Sequence, residues 1–183
     1  ENALDEATGD ATIFWVRQNA AQSTAGLQAN RVTRGGERLW GYSGMTMVPP
    51  TSAFSIIDLH AGSMGDVACA TWLRSTVAGV ASVLAIGVDD QGDSAWNDDP
   101  TPLAWGDHAA IDRTSLTRAM HSGQMVTAWT DERMGGSHLF AQNIRDDGQV
   151  GPDDPCLGDL SGDEIVGGAD LLRVLDAWGP CSE

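Results

Sequence analysis

The chain has 183 residues, of which 42% are hydrophobic and seven are Trp, enough for one packed domain and a small appendage. Its net charge is −16, from 26 acids against 10 bases, and every base is Arg. Such a surface repels phosphate backbones, which argues against nucleic-acid binding, and no apolar run is long enough to span a membrane. The acidity suits a saline medium, or reflects a GC-rich genome and ordinary solubility pressure. The acidic opening "ENALDEATGD" predicts no signal peptide, so we expect a mature chain or a fragment.

Three stretches of the chain repeat one another, over residues 11–41, 68–96 and 125–151. Their shared Trp residues recur 57 positions apart and their shared Gly residues 56 positions apart: Trp15, Trp72 and Trp129, then Gly36, Gly92 and Gly148. Trp40 and Trp96 close the first two stretches, and the third has no such Trp. A fixed period of this length is typical of stacked or radial repeat architectures.

Each repeat predicts a β-hairpin. An alternating apolar strand ends at the Trp, a Gly/Ser/Thr loop follows, and a second alternating strand comes next. A tight turn then holds Gly, as in "RGGE", "DQGD" and "DDGQ", because Gly supplies the positive φ that the turn requires. Another apolar stretch precedes the second and third hairpins, whereas the first hairpin is predicted to lack a preceding strand. This arrangement gives about four short strands per period.

Four-stranded units of this size predict an all-β, propeller-like region over residues 1–150, since blades bury their faces only against their neighbours. Closed propellers have about four to eight blades, so three are too few. We therefore expect an incomplete array: an N-terminal part is missing, several chains assemble, or the sheets stack openly. A β-sandwich with irregular repeats is the alternative.

The third repeat also resembles a known type. The segment "AWTDERMGGSHLFAQNIRDDGQVG" is similar to a bacterial extracellular repeat with the pattern W-x-D-x-R, a Gly-rich loop, an aliphatic–aromatic–Ala–Gln strand and an acidic–Gly turn. The resemblance implies a propeller-like scaffold, mostly without an assigned activity.

The repeat region offers few groups for catalysis. No G-x-S-x-G or H-E-x-x-H motif is present, and no His pairs with another at a metal-binding spacing. Asp131 and Glu132 are adjacent acids, which point apart on an extended chain. Cys69 is predicted to be a small buried hydrophobe on a strand. These observations favour a protein that is not an enzyme.

Residues 151–183, after a linker rich in Pro and acids, form the second predicted domain. Oxygen donors there follow a twelve-residue cation loop: Asp159, Ser161 and Asp163 at positions 1, 3 and 5, the Ile165 carbonyl at 7, and Asp170 at 12. A short amphipathic helix, "ADLLRVLDAWG", follows at once. Alternatively, Asp170 is only an acid that caps this helix.

This segment resembles a single dockerin type I repeat, an EF-hand-like calcium loop followed by a helix. The family pattern D-x-N/D-x-D-G-x-I/V-N/D-x-x-D-L is matched at Asp159, Asp163, Val166, Asp170 and Leu171. The resemblance implies Ca²⁺ as the cofactor. Glu164 and Gly167 depart from the pattern, so we expect weak binding, on the order of 10⁻⁴ to 10⁻³ M. Dockerins that bind cohesin carry two repeats, so a single repeat argues against a cohesin-type partner.

Cys156 and Cys181 bracket the segment, as in the single-copy form of this unit, which implies a disulfide between them. So small a segment has too little core to fold unaided. Closing its loop would add about 3–4 kcal/mol by chain entropy. A disulfide implies an oxidising compartment, hence a secreted or cell-surface protein. Two reduced thiols in a cytosolic tail are the alternative.

The sequence therefore predicts a bacterial secreted or cell-surface protein that is a non-catalytic scaffold or binding module with a protein or glycan partner. The alternative is a fragment of a polysaccharide-degrading enzyme, a glycoside hydrolase component with a dockerin-type tail, whose catalytic part lies upstream.

Overall fold

The computed structural model describes residues 1–76, 81–96, 99–104, 117–121, 123–131 and 138–151, with backbone alone for 117–121 and 131. Residues Glu1–Val150 belong to one compact unit. Within the described part of this unit, strands form three open antiparallel sheets, which confirms the all-β prediction for the repeat region. The described strands form no closed propeller.

The strands follow one another along the chain, one sheet at a time. The first sheet has the order β1-β2-β3-β4: β1 is Asn2–Leu4, β2 Ala11–Gln18, β3 Ala25–Val32 and β4 Met45–Thr51. The second has the order β5-β6-β7-β8: β5 is Phe54–Met64, β6 Val67–Thr76, β7 Ala81–Val88 and β8 Thr101–Pro102. The third has the order β11-β10-β9: β9 is Thr117–His121, β10 Gln124–Asp131 and β11 His138–Arg145.

The three predicted hairpins are present in equivalent registers. The repeated Trp of each hairpin faces a partner on the returning strand: Trp15 pairs with Gln28, Trp72 with Leu84 and Trp129 with Phe140. The prediction that each strand ends at its Trp is wrong. Each strand continues for two to four further residues, because the backbone beyond the Trp stays paired with the returning strand whether the side chains are apolar or polar.

The prediction that no strand precedes the first hairpin is also wrong. The short strand β1 pairs antiparallel with the start of β2, with Ala3 opposite Thr12. Only Ala3 of its three residues is buried, so the stretch is too short to show a period of two. The carboxylate of Asp5 orders the turn after β1 by accepting hydrogen bonds from the amides of Ala7 and Thr8.

The second sheet lies between two hydrophobic cores, because alternate residues of a strand point to opposite faces. One face joins the first sheet in a core that includes Phe14, Leu27, Ala70, Trp72, Leu84 and Ile86. The other face joins the third sheet in a core that includes Cys69, Leu73, Val83, Met125, Trp129 and Ile144. The sheets therefore pack face to face in chain order. The burial predicted for Cys69 is confirmed.

Candidate functional site

The residues predicted to bind calcium, Asp159, Ser161, Asp163, Ile165 and Asp170, lie outside the described residues, as do Cys156 and Cys181. Within the described ranges, no group of three or more His, Cys, Asp or Glu side chains is placed to hold a metal ion. A search of the same residues finds no helix with the length and hydropathy to cross a membrane. The contacts and grooves of the described residues lie on the stacked sheets.

A Trp–Gly junction, defined here as a Trp of one sheet lying on a turn Gly of the next, joins the first and second sheets. The Trp40 Nε1 atom donates a hydrogen bond to the carbonyl oxygen of Asp90 at 3.2 Å. The indole lies against Gly92, where an added Cβ would stand 3.0 Å from the Trp40 Cε2 atom. The side chain of Met45 lies closer still to this position, and Gly92 is buried by the two residues together.

The second Trp–Gly junction repeats this contact between the second and third sheets. The Trp96 Nε1 atom donates to the carbonyl oxygen of Asp146 at 2.8 Å. An added Cβ at Gly148 would stand 2.5 Å from the Trp96 Cγ atom, so the ring leaves no room for a side chain. Donor and acceptor are 50 residues apart in both junctions.

The three turns that carry these glycines have the same hydrogen bonds. The Gly amide donates to the carbonyl three residues earlier, at 2.8 Å for Gly36, 3.2 Å for Gly92 and 3.0 Å for Gly148. All three glycines have positive φ, between 78° and 88°. The turn thus presents a carbonyl oxygen and a bare Cα side by side, which fits an indole ring with its N–H.

The outward face of the first sheet, which we define by Ile13, Trp15, Val32, Arg38 and Tyr42, has no sheet against it among the described residues. These residues line a groove of about 280 Å³. Trp15 is half-buried, whereas Trp72 and Trp129 at the same repeat position are 1% and 3% exposed. Trp15 therefore differs in burial from its two equivalents, because its face lies at the end of the described stack.

A cleft with acidic residues lies at one end of the first two sheets. Its volume is about 560 Å³, and its lining includes Asp5, Glu6 and Asp66. The Arg31 Nη2 atom lies 2.8 Å from the Asp5 carboxylate and 3.4 Å from that of Asp10. The hydrogen bond from the Thr8 hydroxyl, helped by backbone amides and by Arg31, holds the pKa of Asp5 below its usual value. The Asp5 carboxylate is thus already bonded to Arg31 and Thr8, and its role in the cleft is to stabilise the turn after β1.

A polar groove of about 250 Å³ lies at the other end of the same sheets. Hydroxyl and amide side chains dominate its lining, which includes Gln18, Gln22, Ser23, Thr24, Ser55, Ser75 and Thr76. The ring of Phe54 also lines it, with the guanidinium carbon of Arg74 5.9 Å from the ring centre. Hydroxyls, amides and an aromatic ring are the groups with which proteins contact neutral polar ligands such as sugars.

Sequence reasoning found Trp40, Trp96 and the recurring turn glycines, but it missed that each of these two Trp residues contacts the turn Gly of the next repeat. The signal was present: Trp40 precedes Gly92 by the same 52 residues that separate Trp96 from Gly148. No protein-family model matches the chain, and no curated protein matches it either.

Proposed function

We propose that the chain is a non-catalytic scaffold or binding module of a secreted or cell-surface protein. In this proposal the three sheets are consecutive units of a propeller-like array, and residues 151–183 are a calcium-binding, dockerin-like module. The observation that carries the scaffold half is the recurrence of one Trp–Gly junction between successive sheets. A repeated junction is what an array needs, since each unit contacts only its neighbours.

Among the described residues, the contacts that recur most regularly are those that pack one sheet on the next. The second sheet is covered on both faces, so its β6 and β7 side chains serve the two cores and leave no face for a ligand. For the second sheet, access to solvent is left to its ends, and the polar groove lies at one of them. This distribution favours a rigid scaffold whose sheet ends are presented to a partner.

The calcium half of the proposal rests on the oxygen donors in the sequence. Titration of the full chain with calcium chloride in a calorimeter should give one site with a dissociation constant on the order of 10⁻⁴ to 10⁻³ M. The double variant Asp159→Ala/Asp163→Ala should lose this site. Asp66→Ala, an exposed acid of the acidic cleft, is the matched control and should retain it. Equal heats from the parent chain, the double variant and Asp66→Ala would contradict calcium binding and favour the alternative in which Asp170 only caps the helix.

A glycan is the partner that the polar groove supports best. Binding of the full chain to immobilised neutral polysaccharides, tested with and without Gln18→Ala and Ser75→Ala, would measure this. The groove also bears on the second candidate, a component of a polysaccharide-degrading enzyme. Hydrolysis of such a polysaccharide by the 183-residue chain alone would overturn the non-catalytic assignment.

A further inference from the structure

We infer that the outward face of the first sheet is the seat of a further sheet of the same repeat. The occupant would precede β1 in the polypeptide, and its closing Trp would lie on the turn of Gly36. The inference rests on the scaffold half of the proposed function and does not depend on calcium. It is drawn from two features of the first sheet, its turn and its face.

The Gly36 turn has the geometry of the Gly side of a Trp–Gly junction, but no Trp of the described residues lies on it. It has the hydrogen bonds and the positive φ of the Gly92 and Gly148 turns. The Arg34 carbonyl stands at the repeat position of the Asp90 and Asp146 carbonyls that accept indole hydrogen bonds. Yet an added Cβ at Gly36 would meet nothing within 4 Å, and Gly36 is exposed, whereas its two equivalents are buried.

The face beside this turn is apolar at the positions that are covered elsewhere. Ile13 is 39% exposed, and Ala70 at the same repeat position is fully buried. Val32 is half-buried, whereas its equivalents Val88 and Ile144 are 1% and 0% exposed. Together with the half-buried Trp15, these residues form half of a sheet–sheet contact whose other half is absent from the described residues.

The amides on this face do not conflict with a sheet above them. The Asn30 side chain already donates to the Gly41 carbonyl at 2.7 Å and accepts from the Trp40 amide at 3.2 Å. Gln142 occupies the same repeat position on the third sheet, whose corresponding face packs on the second. An amide is therefore compatible with a covered face in this repeat.

A preceding sheet fits this seat better than a second copy of the chain. On the third sheet Leu139 is 76% exposed, and no described residue covers this face, so a second copy could stack it on the first sheet. However, Pro152 stands in the third repeat where Trp40 and Trp96 stand in the others. The third sheet would thus bring no indole to Gly36. In both observed junctions the indole comes from the sheet that is earlier in the chain.

The test is a fusion that places a copy of residues 1–56 directly ahead of Glu1 in the full chain, which keeps 52 residues between the copied Trp40 and Gly36. The copy carries a first sheet with its Trp40, the two-residue connector that joins β4 to β5, and the first three residues of β5. Deuterium uptake by β2 and by the turn at residues 33–38 of the original sheet should slow by about tenfold relative to the parent chain. Two control fusions carry Trp40→Ala in the copy or Ile13→Asp in the original sheet, and both should lose most of this protection.

Unchanged uptake in the fusion would overturn the inference. Equal protection in the fusion and its Trp40→Ala control would overturn the assignment of the indole to Gly36. Sedimentation velocity of the parent chain at rising concentration should show a monomer. A dimer in which β2 and the same turn become protected would assign the face to a second copy instead. The calcium titration bears on none of these outcomes, so failure of the calcium module is distinguishable.

Discussion

The Nε1 atom of Trp96 donates a 2.8 Å hydrogen bond to the carbonyl oxygen of Asp146, across the boundary between the second and third sheets. The bond joins a side chain to a backbone group, so the identity of residue 146 matters little to it. What matters is that the turn exposes that carbonyl next to a residue without a side chain, Gly148.

Replacing Trp96 by Phe should lower the free energy of unfolding by about 1 kcal/mol, because a smaller aromatic ring keeps much of the packing while the indole hydrogen bond is lost. Trp96→Ala should cost more, about 2 kcal/mol or above, since the packing on Gly87 and Gly148 is also lost. Urea denaturation would measure both. Tyr42→Ala is the control: this side chain is 88% exposed, so its loss should change stability by less than about 0.5 kcal/mol. Equal effects of the Trp96 and Tyr42 variants would contradict the junction.

The variants Gly148→Ala and Gly36→Ala separate backbone strain from contact with the indole. Both glycines have positive φ, so each change should cost about 1–2 kcal/mol of backbone strain. At Gly148 the new methyl group must also displace the Trp96 ring, whereas at Gly36 it meets open space. Chemical denaturation should therefore find Gly148→Ala clearly the more destabilised. Indistinguishable stabilities would show that the ring moves aside at no cost.

The free energy of unfolding should decrease at acidic pH, and protonation of Asp5 should contribute to this decrease. Its folded-state pKa is lowered, chiefly by the Thr8 hydroxyl, so its contribution is present above the unfolded pKa of 3.8 and is lost as pH falls through the folded value. Asp5→Asn should thus be less stable than the parent near pH 6, and the gap should close towards pH 2. Melting temperatures across that range would measure it. A gap that stays constant with pH would contradict the role of the carboxylate.

Thiol titration tests the disulfide implied for Cys156 and Cys181. The native chain should react slowly, because Cys69 is fully buried. After denaturation without reductant, one thiol per chain should react if the other two cysteines are joined, and three if they are not. Cys69→Ser then provides the control, which should leave no reactive thiol. Three thiols in the denatured parent would favour the cytosolic-tail alternative.

The hairpins could be predicted from the sequence because their signals are local. Alternating apolar residues and a Gly at each turn are properties of short windows of sequence. The positive φ predicted for the turn glycines is confirmed at Gly36, Gly92 and Gly148. The edge strands β5 and β9 were predicted as apolar stretches ahead of their hairpins and are confirmed, whereas the edge strands β1, β4 and β8 could not be predicted in this way. The strand β4 reads "MTMVPPT", where adjacent prolines are tolerated because it lies at the edge of its sheet.

The close approach of β4 to β3 depends on a residue in the other strand. A Cβ at Gly26 would stand 2.7 Å from the Val48 carbonyl oxygen, and the pairing shifts register at this point. The Trp–Gly junctions could not be predicted either, because they too depend on contacts between residues that are distant in the sequence. A Trp–Gly junction links residues about fifty positions apart, and its meaning depends on which faces are stacked. A repeat period detects that such pairs recur, but it does not say that they touch.

The constant spacing of the Trp–Gly junctions also has a consequence for how this gene could change in length. Recombination between two misaligned repeats inserts or deletes a whole unit. Since Trp40 and Trp96 each meet a turn Gly 52 residues later, such an event leaves every remaining indole opposite a glycine. Duplication of either of the first two units can thus lengthen this protein by a whole sheet, with no compensating substitution at the new boundary. A duplicated third unit would instead bring Pro152 to that boundary.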